Sequence, residues 1–189
     1  MQDRARKSTP AVAAAALFLA FFAWHGPAPA QTAELDRLFE ELKQSGTGDW
    51  QAVENRIWNV WSHSGSDAMD LLLERGRRAI RDGELDKAIE HLTALTDNAP
   101  DFAEGWNARA TAYFMLGEYG QSVADIERVL ALNPRHFGAL AGLGMIYERL
   151  DLDAAALRAY RAAIAVHPFR PDLKEAIERL EARTGGTAL

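Results

Sequence analysis

The chain has 189 residues, of which 48% are hydrophobic and 25% charged, with a net charge of -6 and no cysteine. This is enough chain for one globular domain and too apolar for a disordered one. The missing cysteine excludes disulfides, thiolate nucleophiles and Cys-ligated metals, and the acidic balance argues against a nucleic-acid surface, which concentrates Lys and Arg.

Residues 1–30 read as a targeting segment. Arg4, Arg6 and Lys7 form a positive start, and residues 11–24 form an apolar run. His25, Gly26 and Pro27 break that run, and Ala28-Pro29-Ala30 places small residues before a cleavage point after Ala30. That pattern predicts a signal peptide and a periplasmic or secreted mature protein. The run falls short of the roughly 20 apolar residues of a membrane-crossing helix. The expectation is therefore no stable membrane insertion after cleavage, an uncleaved anchor being the other reading.

Residues 31–67 predict two helices around a turn. The first spans 33–43, with Leu35, Leu38, Phe39 and Leu42 on one face. Gln44 to Gly48 turn the chain, and Asp49 is placed to cap a second helix ending near Trp61. Its apolar face holds Val53, Ile57, Val60 and Trp61, with Trp50 and Trp58 nearby. This hairpin reads either as a degenerate fourth repeat, as a private cap, or as a binding surface built on its tryptophans.

Residues 68–170 repeat. Pro100, Pro134 and Pro168 recur every 34 residues, and blocks 69–102, 103–136 and 137–170 superimpose without gaps. The fourth position holds Leu72, Trp106 and Leu140; the eighth, Gly76, Ala110 and Gly144; the eleventh, Ala79, Tyr113 and Tyr147. The twentieth holds Ala88, Ser122 and Ala156, and the twenty-fourth holds Leu92, Ile126 and Tyr160. Each block divides into two helical stretches around a turn, with Gly83 and Gly117 at two of the reversals. Small residues at positions eight and twenty let the paired helices approach, while the large ones fill the gaps. Asp101 with Glu104, and Asp172 with Glu175, look like capping boxes. Residues 171–183 predict an amphipathic capping helix with Leu173, Ala176, Ile177 and Leu180 inward, and residues 184–189 a flexible tail.

The pattern of large residue, Gly, Tyr, Ala and terminal Pro over 34 residues resembles the tetratricopeptide repeat family. The resemblance departs at Arg75 and Arg109, where the family usually has an apolar residue, and at Ser122. It implies an all-α solenoid, a superhelix of antiparallel helix hairpins. The expected architecture is three clear repeats, the N-terminal hairpin and the C-terminal capping helix.

Chemistry is hard to find. There is no H-E-x-x-H, no pair of histidines at i, i+4, no G-x-S-x-G and no phosphate-binding glycine loop. His136 and His167 lie near successive Pro turns, too far apart in such a stack for one metal ion. The Arg75, Arg77, Arg78, Arg81 cluster reads as a solvated face paired with Glu74 and Glu84 rather than a nucleic-acid contact. The expectation is no enzyme, no cofactor, no metal and no nucleic acid.

The resemblance implies a concave groove lined by the second, fifth, ninth, twelfth and thirteenth residues of each first helix. The first repeat then contributes Asp70, Leu73, Arg77, Ile80 and Arg81. The second gives Glu104, Asn107, Thr111, Phe114 and Met115, and the third gives Gly138, Ala141, Met145, Glu148 and Arg149. The expected partner-binding set is Leu73, Arg77, Arg81, Asn107 and Thr111, with Phe114, Met115, Met145, Glu148 and Arg149. The family's carboxylate clamp is not present as such, although Arg77 and Arg81 with Asn107 could grip an acidic group. The expected function is an adaptor outside the cytoplasm that holds a partner peptide or helix in this groove. A self-assembling homo-oligomer and an accessory subunit of an envelope enzyme are the alternatives.

Overall fold

The computed structural model describes residues 29–46 and 48–186. Among them are α1 (Pro29–Gln44), α2 (Trp50–Trp61), α3 (Asp67–Arg81), α4 (Leu85–Asn98) and α5 (Ala103–Leu116). These are followed by α6 (Tyr119–Leu132), α7 (Phe137–Arg149), α8 (Asp153–Val166) and α9 (Pro171–Gly186). The regular elements among the described residues are all helices, and α3/α4, α5/α6 and α7/α8 form successive antiparallel hairpins stacked in chain order, with α9 closing the stack on α8. The expected all-α solenoid is the observed one.

Local chemistry explains the hairpins. Gly83 and Gly117 adopt φ of +76° and +80° at the two first turns, and Asp151 holds the same register at the third with φ +55°. Asp is one of the few side chains that visits this region at small cost. Within each hairpin, a Cβ on Gly76 would lie 2.5 Å from Leu92, and one on Gly144 2.5 Å from Tyr160. Positions eight and twenty-four are thus a socket and its plug. In the middle repeat Ser122 donates its hydroxyl to the Ala110 carbonyl at 2.8 Å, so the small polar residue is satisfied inside the pair.

Neither capping box forms as drawn. Phe102 stands at the N-cap of α5 without a side-chain bond, and Asp101 instead pairs with Arg128. Glu104 turns into the protein, and Asp172 pairs with Arg170. Among α2 to α8 the one side-chain cap is His136, whose Nδ1 accepts from the Ala139 N–H at 3.0 Å at the start of α7.

The α1/α2 hairpin does not stack on α3 and α4 in the way each repeat stacks on the one before. Its core of Leu38, Phe39, Leu42, Val53, Ile57 and Trp61 closes instead on Phe137, with Val166 and Phe169 beside it. The hairpin therefore folds back toward the third repeat. Asp36 pairs with Arg135, and Glu54 pairs with Arg170.

Candidate partner-binding groove

The first helices of the repeats, α3, α5 and α7, carry the expected groove positions, and the structure divides them into a covered half and an open half.

The covered half lies under α2. The Trp58 ring sits against Gly138, where a Cβ would be 2.6 Å from its outermost carbon. Trp58 also meets His136 and Phe137 edge-on, at centroid distances of 5.5 and 5.4 Å, and Trp61 stacks on His136 at 4.3 Å. Arg77 donates to the Ser62 hydroxyl at 2.9 Å. Beneath them Glu104 is 2% exposed. It accepts from Arg77, from the Asn107 amide at 3.1 Å and from His136 Nε2 at 2.9 Å. Because Ala139 N–H points at Nδ1, His136 carries its proton on Nε2 and donates it to the carboxylate. Burial alone would raise the Glu104 pKa, but the His136 hydrogen bond and the nearby positive charge of Arg77 hold it below the ordinary glutamate value.

This geometry corrects several expectations. Arg77 and Asn107 are both spent on Glu104, so they do not form a grip for a partner's acidic group. Of the arginine cluster, Arg78 pairs with Glu74 as expected, whereas Arg77 pairs with Glu104 on another helix and Glu84 binds Lys87. Leu73 is 2% exposed in the core with Ala88, Leu92 and Leu95 and offers nothing to a partner.

The open half lies toward the C-terminal ends of the same helices. Met115 is 51% exposed and Met145 46%, and Thr111, Arg81 and Arg149 are exposed as well. Phe114 is half-buried against Tyr119, with centroids 5.7 Å apart, and serves mainly as packing. Glu148 is held from the far side by Arg179 and by the Tyr160 hydroxyl, at 3.0 and 2.8 Å, so it buttresses α9. Sequence reasoning missed His136 as a groove-floor residue. Its place just before a first helix, like that of Arg170, was a usable signal.

No group of three or more acidic or histidine side chains that could hold a metal ion occurs among the described residues. No helix among them is long and apolar enough to cross a membrane.

Comparison with known proteins follows the same lines. Residues 103–136 match the tetratricopeptide repeat model. A TPR repeat-containing protein of Rhizobium etli is 33% identical over 194 aligned residues, covering 93% of this chain and 95% of that protein. The chain belongs to the tetratricopeptide repeat family. A bovine SGT1 homolog is 31% identical over 53% of this chain, but this chain spans only 30% of that protein's length. Among solved structures, the first TPR of Spaghetti (RPAP3) bound to an HSP90 peptide superimposes with a TM-score of 0.61 at 22% identity, covering 64% of this chain and 95% of that one. The MamA protein superimposes with a TM-score of 0.58 at 20% identity, covering 82% of each chain. At those identities the structures show the fold alone.

The expected export is corrected by these relatives. The SGT1 homologs, the yeast small glutamine-rich tetratricopeptide repeat-containing protein 2, RNA polymerase II-associated protein 3 and superkiller complex protein 3 are cytoplasmic co-chaperone or adaptor proteins. A signal-bearing periplasmic or secreted protein does not fit among them. Residues 1–28 of the expected signal lie outside the described residues. Where the description begins, α1 starts at Pro29 and runs through the expected cleavage bond after Ala30, and Gln31 donates to the Val60 carbonyl at 2.8 Å. Residue composition suggested a signal there because an Ala-rich apolar run followed by small residues satisfies the same pattern whatever its destination.

Proposed function

We propose that this protein holds a segment of a partner protein on the open half of its concave face, against Thr111, Met115, Met145 and Arg149. The observation that carries the reading is the exposure of Met115 and Met145, 51% and 46%, on the first helices of adjacent repeats. Methionine is flexible and polarisable and adapts to varied apolar side chains, which suits a recognition surface better than a rigid core. Arg149 beside them, and Arg81 on α3, add positive charge, so the favoured segment combines apolar anchors with an acidic residue. The solved relative carrying an HSP90 peptide supports peptide capture as the mode.

The test is selection from a displayed peptide library on the full chain, followed by titration of the selected peptides. Replacing Met115→Glu and Met145→Glu together should weaken them at least about tenfold, the loss of roughly two buried apolar anchors, with far-UV dichroism unchanged. Peptides that bind the double variant as well as the parent would overturn the reading.

A further inference from the structure

We infer that the covered half of the groove is a helix-binding site whose present occupant, the chain's own α1/α2 hairpin, can be displaced by a partner helix of the same chemistry as α2. This goes beyond the open half and does not rest on it.

The joint between hairpin and repeats is made by side chains alone, between parts of the chain far apart in sequence. Trp58 is seated on Gly138, Trp61 is stacked on His136, Glu54 faces Arg170, and Asp36 faces Arg135. The covalent connection is the short stretch 62–66, in which Gly65 takes φ +85°. Ser64 ties this tether to the start of α3 through Asp70, at 2.7 and 2.6 Å, so a swing of the hairpin about Gly65 breaks the Arg77–Ser62 bond while α3 keeps its hold on the tether.

The joint is also imperfectly satisfied. Among the described residues, the buried side-chain polar atoms without a hydrogen bond are Trp61 Nε1 and both ring nitrogens of His167. All three lie where the hairpin meets the repeats. The Glu54 carboxylate comes within 3.3 Å of His167 Nε2 but out of line for a hydrogen bond. Internal joints of the stack leave no such atoms, as the Arg109 and Ser122 bonds illustrate. Unmade bonds weaken the resident, and a competitor that makes them gains on it.

The resident defines the ligand. Glu54, Trp58 and Trp61 fall at i, i+4 and i+7 on one face of α2. They meet, in order, Arg170 with His167, then Gly138, then His136. The site therefore takes an amphipathic helix with an acidic residue one turn ahead of two large aromatics. The tethered hairpin competes at a high effective concentration, so a free helix binds with an affinity reduced by the fraction of molecules that are open.

The probe is a labelled peptide of residues 49–63, titrated into the full chain by fluorescence anisotropy. Trp58→Ala in the chain, with the peptide unchanged, weakens the resident and leaves the site intact. It should tighten peptide binding at least about tenfold, in proportion to the open fraction. Asp36→Arg, an exposed change opposite Arg135, should tighten it by a smaller factor and guards against a folding defect in the first variant. Because the chain has no cysteine, Asp36→Cys with Arg135→Cys can be joined specifically by a short bismaleimide, and the joined protein should not bind the peptide at all. Gly138→Leu, which fills the Trp58 seat, should abolish binding too. Equal binding to the joined and free proteins, or no binding to either loosened variant, would overturn the inference. Met115→Glu with Met145→Glu should leave this peptide's binding unchanged, so failure of the open-half reading is seen separately.

Discussion

Where α5 meets α4, Gly105 lets the helix backbone lie against Leu95, whose side chain would come within 3.0 Å of a Cβ there. Where the hairpin meets the third repeat, Gly138 does the same for Trp58. Both joints seat a large side chain on a glycine, but they differ in how the two partners are related along the chain. The first joint recurs at a fixed spacing, so each repeat specifies its neighbour. The second occurs once, between distant residues, and is held by aromatics and ion pairs in place of a register. The repeat joints thus carry the fold, and the hairpin joint decides how much of the first-helix face stays covered.

The largest expected effect tests the hairpin joint. Phe137 is fully buried, in contact with Trp58, Trp61 and His167. Phe137→Ala should cost about 4 kcal/mol, the usual loss for a buried aromatic. The repeats retain their own clusters, so unfolding in urea should split into two steps, an early one seen by tryptophan fluorescence and a later one seen by helicity. A single concerted transition would mean that hairpin and repeats form one cooperative unit.

Arg109 tests a repeat joint. It makes a bidentate pair with Asp125, donates to Thr93 and Thr96 on the preceding helix, and lies over the Trp106 ring at 4.8 Å. Asp125 is 5% exposed, so Arg109→Ala strands a buried carboxylate and should cost about 3 kcal/mol. The loss should fall on the later, helical transition and leave the early one where it was.

Acid reaches the floor shared by both regions. The Glu104 pKa is lowered in the folded protein by His136 and Arg77, against the effect of burial. Its unfolded value is about 4.3. The contribution is complete above that value, begins to fade as the unfolded state takes up its proton, and is gone below the folded value. The part of the stability owed to Glu104, read in urea as the difference between the parent and Glu104→Gln, should therefore be level between pH 7 and 5 and fall below about pH 4. Glu104→Gln should be less stable at pH 7 and lose less on acidification; an unchanged acid slope would show that other carboxylates govern it.

The sequence made the packing within each repeat readable for a physical reason. Socket and plug lie sixteen residues apart in each block, as Gly76 with Leu92 and Gly144 with Tyr160 do, so the pattern states the contact three times over. The α1 and α2 helices were equally legible from their apolar faces, within a few residues at each end. Their docking was not, because amphipathicity says that a face is buried and not what buries it. That gap misassigned half of the groove. Arg77 and Gly138 are engaged by Ser62 and Trp58, which no repeat pattern contains, and Asn107 by Glu104 of its own helix.

Arg75 offers the smallest effect and the sharpest use of it. It occupies the same repeat position as Arg109, yet it is exposed, and the counterpart of Asp125 in its repeat is His91. The difference follows from the hairpin's placement. In the second and third repeats the third and tenth positions, Gly105, Ala112, Ala139 and Ile146, are buried against the preceding pair of helices. In the first repeat no pair precedes, since α1/α2 packs elsewhere, and Leu71 is left 45% exposed with Arg78 beside Glu74 at the surface. Arg75→Ala should therefore change the unfolding free energy measured in urea by less than about 0.5 kcal/mol, the range of surface changes that touch nothing. A loss comparable to that of Arg109→Ala would mean that in solution the hairpin stacks on α3 as a preceding repeat would, with the arginine sandwiched between them. The same displacement would uncover Gly138 and His136, so this one exposed side chain reports which joint the hairpin occupies.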